Sequence, residues 1–461
     1  MKLILKLISL LKRNNAAQTI TINERYCHHC TNRGMFIFNA ATSSSDDKNK
    51  AIRETSSQLK MLVIFIFMIL ISSDVYCQSN GFFSTREKEI IDPEGNPVLL
   101  KGTNLGNWLV PEGYMFHFKN ASSPRMIYNL FNELIGEEEA NKFWAGFRDI
   151  YITHEDIKFI KSLGFNHVRI PFNYRLFITE HPDRELKGVG YELLDRAVRW
   201  CKEENLYIIL DMHCAPGGQT GDNIDDSFGY PFLFESPESQ QLTIDIWKKL
   251  AEIYKDETII IGYDLLNEPI AHYFDADKLN PLLEPLFMRI TSAIREVDTN
   301  HIVFIGGAQW NSNFSVFGPP FDNKLVYSFH KYWTEPTLEV VKDYIEYSNK
   351  YNVPIWMGES GENTNEWISQ FRSMLEENNI GWTFWPYKKM KSERGIVSIL
   401  QPDEFDIIIE YANKPRVSYE DIRTLRPDFQ KVKLALKQYL ENCRQSNCII
   451  NEDYIEALGL K

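Results

Sequence analysis

The sequence predicts an eight-stranded (β/α)8 barrel, and two segments give the clearest indication of it. Residues 259–269 (IIIGYDLLNEP) and 354–361 (PIWMGESG) each run from an apolar, strand-like stretch to a glutamate that is followed shortly by Pro or Gly. A barrel of this kind places its functional side chains at the C-terminal ends of its strands. From residue 81 onward, strand-like and helix-like segments also alternate, which is typical of a parallel barrel.

Eight strand-like segments follow one another in this part of the chain. They cover residues 99–108, 167–173, 207–214, 259–269, 301–310, 325–333, 354–361 and 381–387. Amphipathic, helix-like segments lie between them or follow the last one, at residues 191–205, 237–256, 279–298, 338–352, 365–379 and 427–443. Residues 389–426 are too long for a simple connection, so we expect them to fold over the cleft or to pack against the side of the barrel. One domain is predicted over residues 81–461.

The first 77 residues are interpreted separately from the barrel. Residues 61–71 (MLVIFIFMILI) have the length of the apolar core of a secretory signal peptide, and polar residues follow. Cleavage after Cys77 would leave Gln78 first, so residues 61–77 are predicted to be a signal peptide. Residues 1–60 show no packable pattern and are read as an unstructured leader or a mis-assigned start. We expect a secreted, periplasmic or cell-surface protein; an uncleaved apolar segment would instead anchor it in a membrane.

Composition and charge narrow the classes of function. With 44% hydrophobic and 25% charged residues among 461, the chain has the balance of an ordinary globular protein. The formal net charge of −13 argues against binding to nucleic acid or to an anionic membrane surface, and it suits a neutral substrate.

Cysteine and histidine give weaker signals. Cys443 and Cys448 could form a small terminal disulfide, or they could be free thiols. Residues 27–30 (CHHC) look like half a zinc site, but no second ligand pair follows at finger spacing. We therefore expect neither a metal nor a cofactor.

The two strand-terminal glutamates, Glu268 and Glu359, suggest a carboxylate pair at the barrel mouth. Such a pair can cleave a glycosidic bond, because one carboxyl protonates the leaving oxygen while the other attacks the anomeric carbon. Polar and aromatic residues also end other strands: Arg169, His213, His330, Tyr332 and Trp385. One such residue alone is more often structural, but burying all of them away from a site would be costly. The sequence therefore favours one site at the barrel mouth that contains these residues and both glutamates.

In these motifs the chain resembles the family 5 glycoside hydrolases, a cellulase-like family of retaining barrels, over most of residues 81–400. The resemblance implies that Glu268 is the general acid/base and Glu359 the nucleophile. It further implies that Asn267 binds the sugar 2-hydroxyl, that Tyr332 and Arg169 keep Glu359 ionised, that His213 and His330 line the −1 subsite, and that Trp385 forms its floor. The chemistry agrees, since the acid needs a raised pKa and the nucleophile a neighbouring cation.

Substrate preference depends on shorter segments. Residues 102–115 and 211–221 are similar to those of exo-1,3-β-glucanases in this family, in which the glutamate matching Glu112 holds the non-reducing-end sugar. Residues 360–363 and 271–274 depart from that subgroup. We predict a retaining β-glycosidase that acts on a β-linked oligo- or polysaccharide, namely a β-glucan, in the manner of a glucan β-1,3-glucosidase. An endo-β-1,4-glucanase is the alternative. Trp310, Trp333 and residues 222–235 are expected to form subsite walls or to be ordinary packing.

Two other classes remain open. A non-catalytic carbohydrate-binding barrel would leave the acid, the nucleophile and their supporting groups unexplained. A metal-assisted hydrolase could use His213 and His330, but it lacks a third clear ligand at matched spacing, and it predicts that a chelator abolishes activity.

Overall fold

The computed structural model describes residues 21–25, 35–39, 81–179 and 183–460. The chain divides into two units, Met1–Cys77 and Gln78–Lys461. In the first unit, strands β1 (Thr21–Arg25) and β2 (Met35–Asn39) pair in antiparallel register, a pairing that the sequence analysis does not anticipate. The predicted signal peptide at residues 61–77 and the CHHC motif at residues 27–30 lie outside the described residues.

The second unit begins with an antiparallel hairpin of strands β3 (Ser84–Arg86) and β4 (Glu89–Ile91), and it contains a closed barrel of eight parallel strands. The strands are β5 (Lys101–Asn104), β6 (His167–Asn173), β7 (Tyr207–Cys214), β8 (Ile260–Asp264), β9 (Ile302–Gly306), β10 (Leu325–His330), β11 (Ile355–Gly361) and β12 (Gly381–Trp385). Neighbours along the chain pair in parallel, and β12 closes the ring by pairing with β5. The predicted (β/α)8 barrel is confirmed.

These strands are apolar because helices cover their outer faces and side chains fill the barrel interior. All five residues of β8 and all five of β9 are buried. Four charged residues within the barrel strands are buried as well, namely Arg169, Asp211, Asp264 and Glu359, whereas Lys101 at the start of β5 is half-buried. Buried charges need partners, so these four positions mark the functional end of the barrel.

Helices surround the barrel. They are α1 (Pro124–Ile135), α2 (Glu137–Ile150), α3 (His154–Ser162), α4 (Val189–Glu204), α5 (Pro237–Tyr254), α6 (Ala276–Arg295), α7 (Lys342–Tyr351), α8 (Asn365–Glu377), α9 (Asp406–Ala412), α10 (Tyr419–Leu425), α11 (Phe429–Asn442) and α12 (Glu452–Ala457). The six predicted helices are α4–α8 and α11. The first three are not predicted, although Ser123 caps α1 and Pro124 begins it, a common helix start.

Residues 389–426 pack mainly against the side of the barrel. Strand β13 (Lys388–Met390) joins β14 (Val397–Ile399) and β15 (Ile449–Ile450) in a small sheet. Beyond it, the rings of Phe118 and Phe405 stack at 6.3 Å, and Arg416 donates to Glu133 at 2.7 Å. Of the two expectations for this segment, side packing describes most of it, and Lys389 at its start contacts the cleft-lining residues Glu362 and Tyr114.

Among the described residues, no helix has the length and apolarity needed to cross a membrane. Cys201, Cys214, Cys443 and Cys448 are free. The disulfide between Cys443 and Cys448 is therefore not formed, and the free-thiol alternative describes the pair. The Cys448 thiol instead donates to the carbonyl of Arg444 at 3.4 Å.

Candidate active site

A cleft of about 840 Å³ opens at the C-terminal ends of the barrel strands. Eight of the ten site residues that the sequence predicts line it: Glu112, His213, Glu268, Trp310, His330, Tyr332, Glu359 and Trp385. The other two, Arg169 and Asn267, lie behind this lining and are bonded to each other, with Arg169 Nη2 donating to Asn267 Oδ1 at 2.9 Å. The structure thus brings all ten predicted residues to one site.

The two glutamates face each other across the cleft. Glu268 follows β8 with its backbone in the left-handed region, at a φ of 45°, and Glu359 lies within β11. One oxygen of each carboxyl group and a ring nitrogen of His330 lie within 4.8 Å of one another. In glycoside hydrolases a carboxyl separation of about 5–5.5 Å accompanies retention, whereas inverting pairs stand roughly 6.5–9.5 Å apart. The observed spacing fits the retaining geometry.

Glu359 is held by a cation and a phenol. Arg169 Nη1 donates to its Oε1 at 2.6 Å, and the hydroxyl of Tyr332 donates to its Oε2 at 3.1 Å. Burial raises the pKa of Glu359, and the Arg169 guanidinium acts in the opposite direction by stabilising the carboxylate. Since both oxygens accept hydrogen bonds from fixed donors, the ionised form of Glu359 is favoured.

Among the residues that the structure describes, no lysine or arginine forms an ion pair with Glu268. Burial raises its pKa well above the usual range, and the charge of Glu359 raises it further. His330 Nδ1 lies 2.9 Å from Glu268 Oε1, and His330 Nε2 lies 3.1 Å from the amide nitrogen of Asn311. Burial lowers the pKa of His330, so the ring is neutral. Asn311 donates to Nε2, which leaves the proton on Nδ1 to bond Glu268.

Arg169 is the centre of a buried charge network that the sequence analysis did not fully identify. Besides Glu359, it contacts Asp264 at 2.8 Å, Asp211 at 3.1 Å and Asn104 at 3.1 Å. Burial raises the pKa of each aspartate to about 7. Burial by itself would lower the pKa of Arg169, but the three carboxylates raise it overall, so the guanidinium stays charged. A lone acidic residue within an apolar strand is the sequence signal for both aspartates.

His213 is oriented by a second chain of hydrogen bonds. Its Nδ1 lies 2.8 Å from Asp211 Oδ2, and its Nε2 lies 3.3 Å from the Asn267 amide nitrogen. Burial lowers the pKa of His213 to about 3, so the ring is neutral. The ring of Trp385 stacks on it at 5.6 Å, with an angle of 11° between the planes. Together they form a flat, neutral surface beside Glu359.

Glu112 lies in a wall built from the loop after β5 and from β11 and β13. Its side chain is buried, and its Oε1 has no hydrogen-bond partner in the described chain. Burial raises its pKa well above the usual range, and the nearby Glu359 raises it further. Next to it, Tyr114 accepts a hydrogen bond from Trp385 at 2.5 Å, and Lys389 forms an ion pair with Glu362 at 2.7 Å. The sequence analysis did not identify Tyr114, Lys389 or Glu362 as part of this wall.

Of the other segments considered as subsite walls, the two tryptophans line the cleft and the loop at residues 222–235 mostly does not. Trp310 and Trp333 both line the cleft, and both have left-handed backbone conformations, at φ values of 63° and 53°. In residues 222–235, by contrast, only Ile224 reaches the cleft. Asp225 holds this loop together by accepting from the backbone of Thr220 and Gly221, each at 2.7 Å. Most of the loop is packing, which is one of the two alternatives that the sequence analysis left open for it.

Glu268, His330 and Glu359 also form the one candidate metal cluster among the described residues. It differs from the site considered in the sequence analysis, because His213 is not part of it. A cation there would stand beside the Arg169 guanidinium, which is already 2.6 Å from Glu359. Like charges at this range repel strongly in a buried site, so the residues fit a proton-transfer pair better than a metal centre.

Comparison with known proteins agrees with this geometry. A model of the cellulase family, glycosyl hydrolase family 5, matches residues 132–391. Endoglucanase C of Acetivibrio thermocellus is 31% identical over 307 residues, which cover 53% of this chain and 86% of the endoglucanase. A β-xylosidase of Phanerodontia chrysosporium is 36% identical over 231 residues, or 50% of this chain and 47% of the xylosidase. A glucan 1,3-β-glucosidase of Lachancea kluyveri is 31% identical over 234 residues, covering 47% and 53%.

The chain thus spans about half the length of the xylosidase and of the glucosidase. Among solved structures, an endogalactoceramidase aligns with a TM-score of 0.54 and 17% identity, covering 82% of this chain and 84% of that one. At this identity the likeness supports the fold alone. The family model, in contrast, extends over more than half of the sequence and includes both glutamates and seven of the eight barrel strands. The chain belongs to glycosyl hydrolase family 5.

Proposed function

We propose that this chain is a retaining β-glycosidase that hydrolyses a β-glucan, with Glu359 as nucleophile and Glu268 as general acid/base. The observation that carries this proposal is the opposite environment of the two facing carboxyl groups. Glu359 is stabilised as an anion by Arg169, whereas Glu268 is buried without a cation and retains its proton. One carboxyl can attack carbon while the other protonates oxygen, which is the division of labour that double displacement requires.

The reaction follows from this arrangement. A Glu359 oxygen attacks the anomeric carbon, the bond to the leaving oxygen breaks, and that oxygen takes the Glu268 proton. The covalent ester neutralises Glu359, which removes the charge that raised the pKa of Glu268, so Glu268 becomes a base. It then takes a proton from water as the water oxygen attacks the anomeric carbon and releases Glu359. His330 supports both steps by holding Glu268 in place at 2.9 Å.

Cleavage from the non-reducing end is supported by the wall around Glu112. The unpaired Oε1 of Glu112 is buried beside the cleft, where a sugar hydroxyl could supply its missing partner. A sugar within a chain carries a substituent in place of one of these hydroxyls, so it would leave the carboxyl unpaired. The similarity to glucan 1,3-β-glucosidases favours a β-1,3-linked substrate. The similarity to endoglucanases keeps endo-β-1,4 cleavage as the alternative.

Exo action predicts that Glu112→Gln lowers kcat/KM on laminaritriose by well over tenfold, because the amide replaces one carboxyl oxygen, an acceptor for the hydroxyls of the terminal sugar, by a donor. The exposed Glu138→Gln variant is the matched control and is expected to keep full activity. Released glucose is measured for laminaritriose, and viscosity for a long β-glucan. Exo action would be contradicted if Glu112→Gln hydrolysed laminaritriose at the unmodified rate, or if the unmodified enzyme rapidly lowered the viscosity of a long β-glucan. Either result would favour the endo-acting alternative.

We also propose that the protein is exported, with residues 61–77 as a cleaved signal peptide. The support for this is the apolar run at residues 61–71 and the polar residues that follow it. N-terminal sequencing of the exported protein should find Gln78 as the first residue. An N-terminus upstream of residue 61 on a membrane-bound protein would instead indicate an anchor.

A further inference from the structure

A buried ion pair lies next to the cleft wall that contains Glu112. Lys388, at the start of β13, and Asp156, in the first turn of α3, are both fully buried, and Lys388 Nζ lies 2.6 Å from Asp156 Oδ1. Neither residue lines the cleft. Burying two charges carries a large desolvation cost, and apolar residues of similar volume are often as stable. Stability alone is therefore a weak reason for this pair.

The lysine of the pair connects three helices. Its ammonium has three N–H donors, which bond Asp156 Oδ1, the carbonyl of Tyr151 at 2.8 Å and the carbonyl of Cys443 at 2.8 Å. Tyr151 directly follows α2 and Cys443 directly follows α11, so the cation also meets the negative ends of two helix dipoles. Asp156 accepts a further hydrogen bond from the hydroxyl of Tyr387 at 2.9 Å. Since every donor of its ammonium is used, Lys388 is fixed relative to three elements at once.

Strand β13 connects the pair to the cleft wall. Successive side chains of a strand point to opposite faces, and here Lys388 points into the buried network while Lys389 points toward the wall. Lys389 Nζ lies 2.7 Å from Glu362 and 4.4 Å from the ring centre of Tyr114. The carbonyl of Lys388 is held as well, because it accepts a hydrogen bond from the Tyr151 hydroxyl at 2.7 Å. Both the side chain and the backbone of Lys388 are therefore fixed, and this fixes the position from which Lys389 extends.

A second connection leads from the pair to Glu112. The Tyr151 hydroxyl accepts a hydrogen bond from Asn107 Nδ2 at 3.4 Å, and Asn107 Oδ1 accepts one from the backbone N–H of Glu112 at 3.0 Å. These bonds hold the backbone of Glu112. They leave its carboxyl group available to a ligand, since its Oε1 has no hydrogen-bond partner in the described chain.

From these contacts we propose that the Lys388–Asp156 pair positions the cleft wall, and Glu112 in particular, for binding the terminal sugar. Both members are positioning residues, because they act through Glu112 and Lys389 and do not themselves line the cleft. The inference rests on the proposed glycosidase function and names the buried residues on which its preference for chain ends depends. Hydrogen bonds are directional, so a shift of the wall by about 1 Å would weaken its bonds to the sugar hydroxyls.

Removing one hydroxyl group tests this connection. Tyr151→Phe removes the bonds to Asn107 and to the Lys388 carbonyl but keeps the ring and both charges. Tyr263→Phe is the matched control, because it removes an equally buried hydroxyl that bonds Asp298 and does not line the cleft. Tyr151→Phe should raise KM for laminaritriose by about three- to tenfold and change kcat by less than about twofold. Tyr263→Phe should lower the melting temperature by a similar amount and leave KM unchanged.

Replacing the pair itself gives a second test. Lys388→Met combined with Asp156→Asn removes both charges together, so that neither is left buried alone, and KM for laminaritriose should again rise by about three- to tenfold. In an enzyme that already carries Glu112→Gln and Lys389→Met, Tyr151→Phe should change kcat/KM by less than about twofold. The reason is that the side chains positioned by the network are then gone.

An unchanged KM in Tyr151→Phe, or equal changes of KM in Tyr151→Phe and Tyr263→Phe, would overturn the positioning role. A loss of full size in the Glu112→Gln, Lys389→Met enzyme would overturn it as well. Melting curves show whether each variant is folded, and Tyr151→Phe provides the test if the variant without the charged pair does not fold. If the unmodified enzyme did not hydrolyse laminaritriose, the proposed function itself would be wrong, and the positioning role would be wrong with it.

Discussion

Replacing Glu359 by alanine is expected to lower turnover by roughly 10⁴-fold or more, since no other carboxylate can form the bond to the anomeric carbon. Arg169 Nη1 and the Tyr332 hydroxyl would keep their positions and face a space of carboxylate size. Azide, a small anionic nucleophile, should enter this space and restore part of the activity. Because it attacks from the side that Glu359 occupied, the product should be the α-glycosyl azide, identified by NMR.

The exposed Glu138→Ala variant, with and without azide, is the control for this experiment, and its rate should not change. A β-glycosyl azide from the Glu359→Ala enzyme would contradict the assignment, because it would mean that Glu359 is the acid/base and Glu268 the nucleophile. Thermal unfolding should accompany the assay, since removing Glu359 leaves Arg169 with two aspartate partners. Loss of activity supports the assignment of Glu359 only if the Glu359→Ala variant remains folded.

Glu268→Ala is expected to have a large effect that depends on the leaving group. Loss of a general acid costs roughly 10²–10⁴-fold when the leaving oxygen needs a proton, and much less when it leaves readily as an anion. Laminaribiose should therefore lose far more activity than 2,4-dinitrophenyl β-glucoside. Azide should rescue this variant to the β-glycosyl azide, because the covalent ester on Glu359 still forms and is then displaced.

The pH profile gives a second readout of the same residue. The raised pKa of Glu268 keeps it protonated at neutral pH, so kcat/KM should fall as the pH rises through that pKa and the acid is lost. The acidic limb should reflect protonation of Glu359. In Glu268→Ala the alkaline limb should disappear while the acidic limb remains. An alkaline limb of unchanged midpoint would show that another group donates the proton.

The barrel was predictable because its strands carry a local signal. Most of the strands contain a short apolar run, and polar or aromatic residues at or near the strand ends, such as Arg169, His213 and Trp385, line the cleft or support it. The eight strands, the six helices α4–α8 and α11, and the family assignment are confirmed. The strand boundaries were predicted less accurately than the strands themselves. The fourth strand was expected over residues 259–269, but it ends at Asp264, and the chain beyond it includes the left-handed residues Glu268 and Ile270.

Other features of the fold and of the site depend on contacts that cannot be predicted from local sequence patterns. Helices α1–α3 fall within one long connection between two strands, where the sequence analysis looked only for the next strand. The bond from Asn311 to His330 and the wall formed by Tyr114, Lys389 and Glu362 join residues far apart in sequence. Residues 222–235 were considered as a subsite wall, yet Asp225 ties this loop to the preceding chain by accepting from the backbone of Thr220, Gly221 and Ser227. Such pairings become visible only once the barrel has closed.

The most direct test of the central claim is the anomeric configuration of the first product. Hydrolysis of a β-glucoside by the unmodified enzyme should be followed by proton NMR before mutarotation equilibrates the sugar. The carboxyl oxygens within 4.8 Å of each other are closer than the roughly 6.5–9.5 Å that separates the carboxyl groups of inverting pairs, so double displacement is expected and β-glucose should appear first. The α-anomer as the first product would contradict the account, because it would show a single displacement by water.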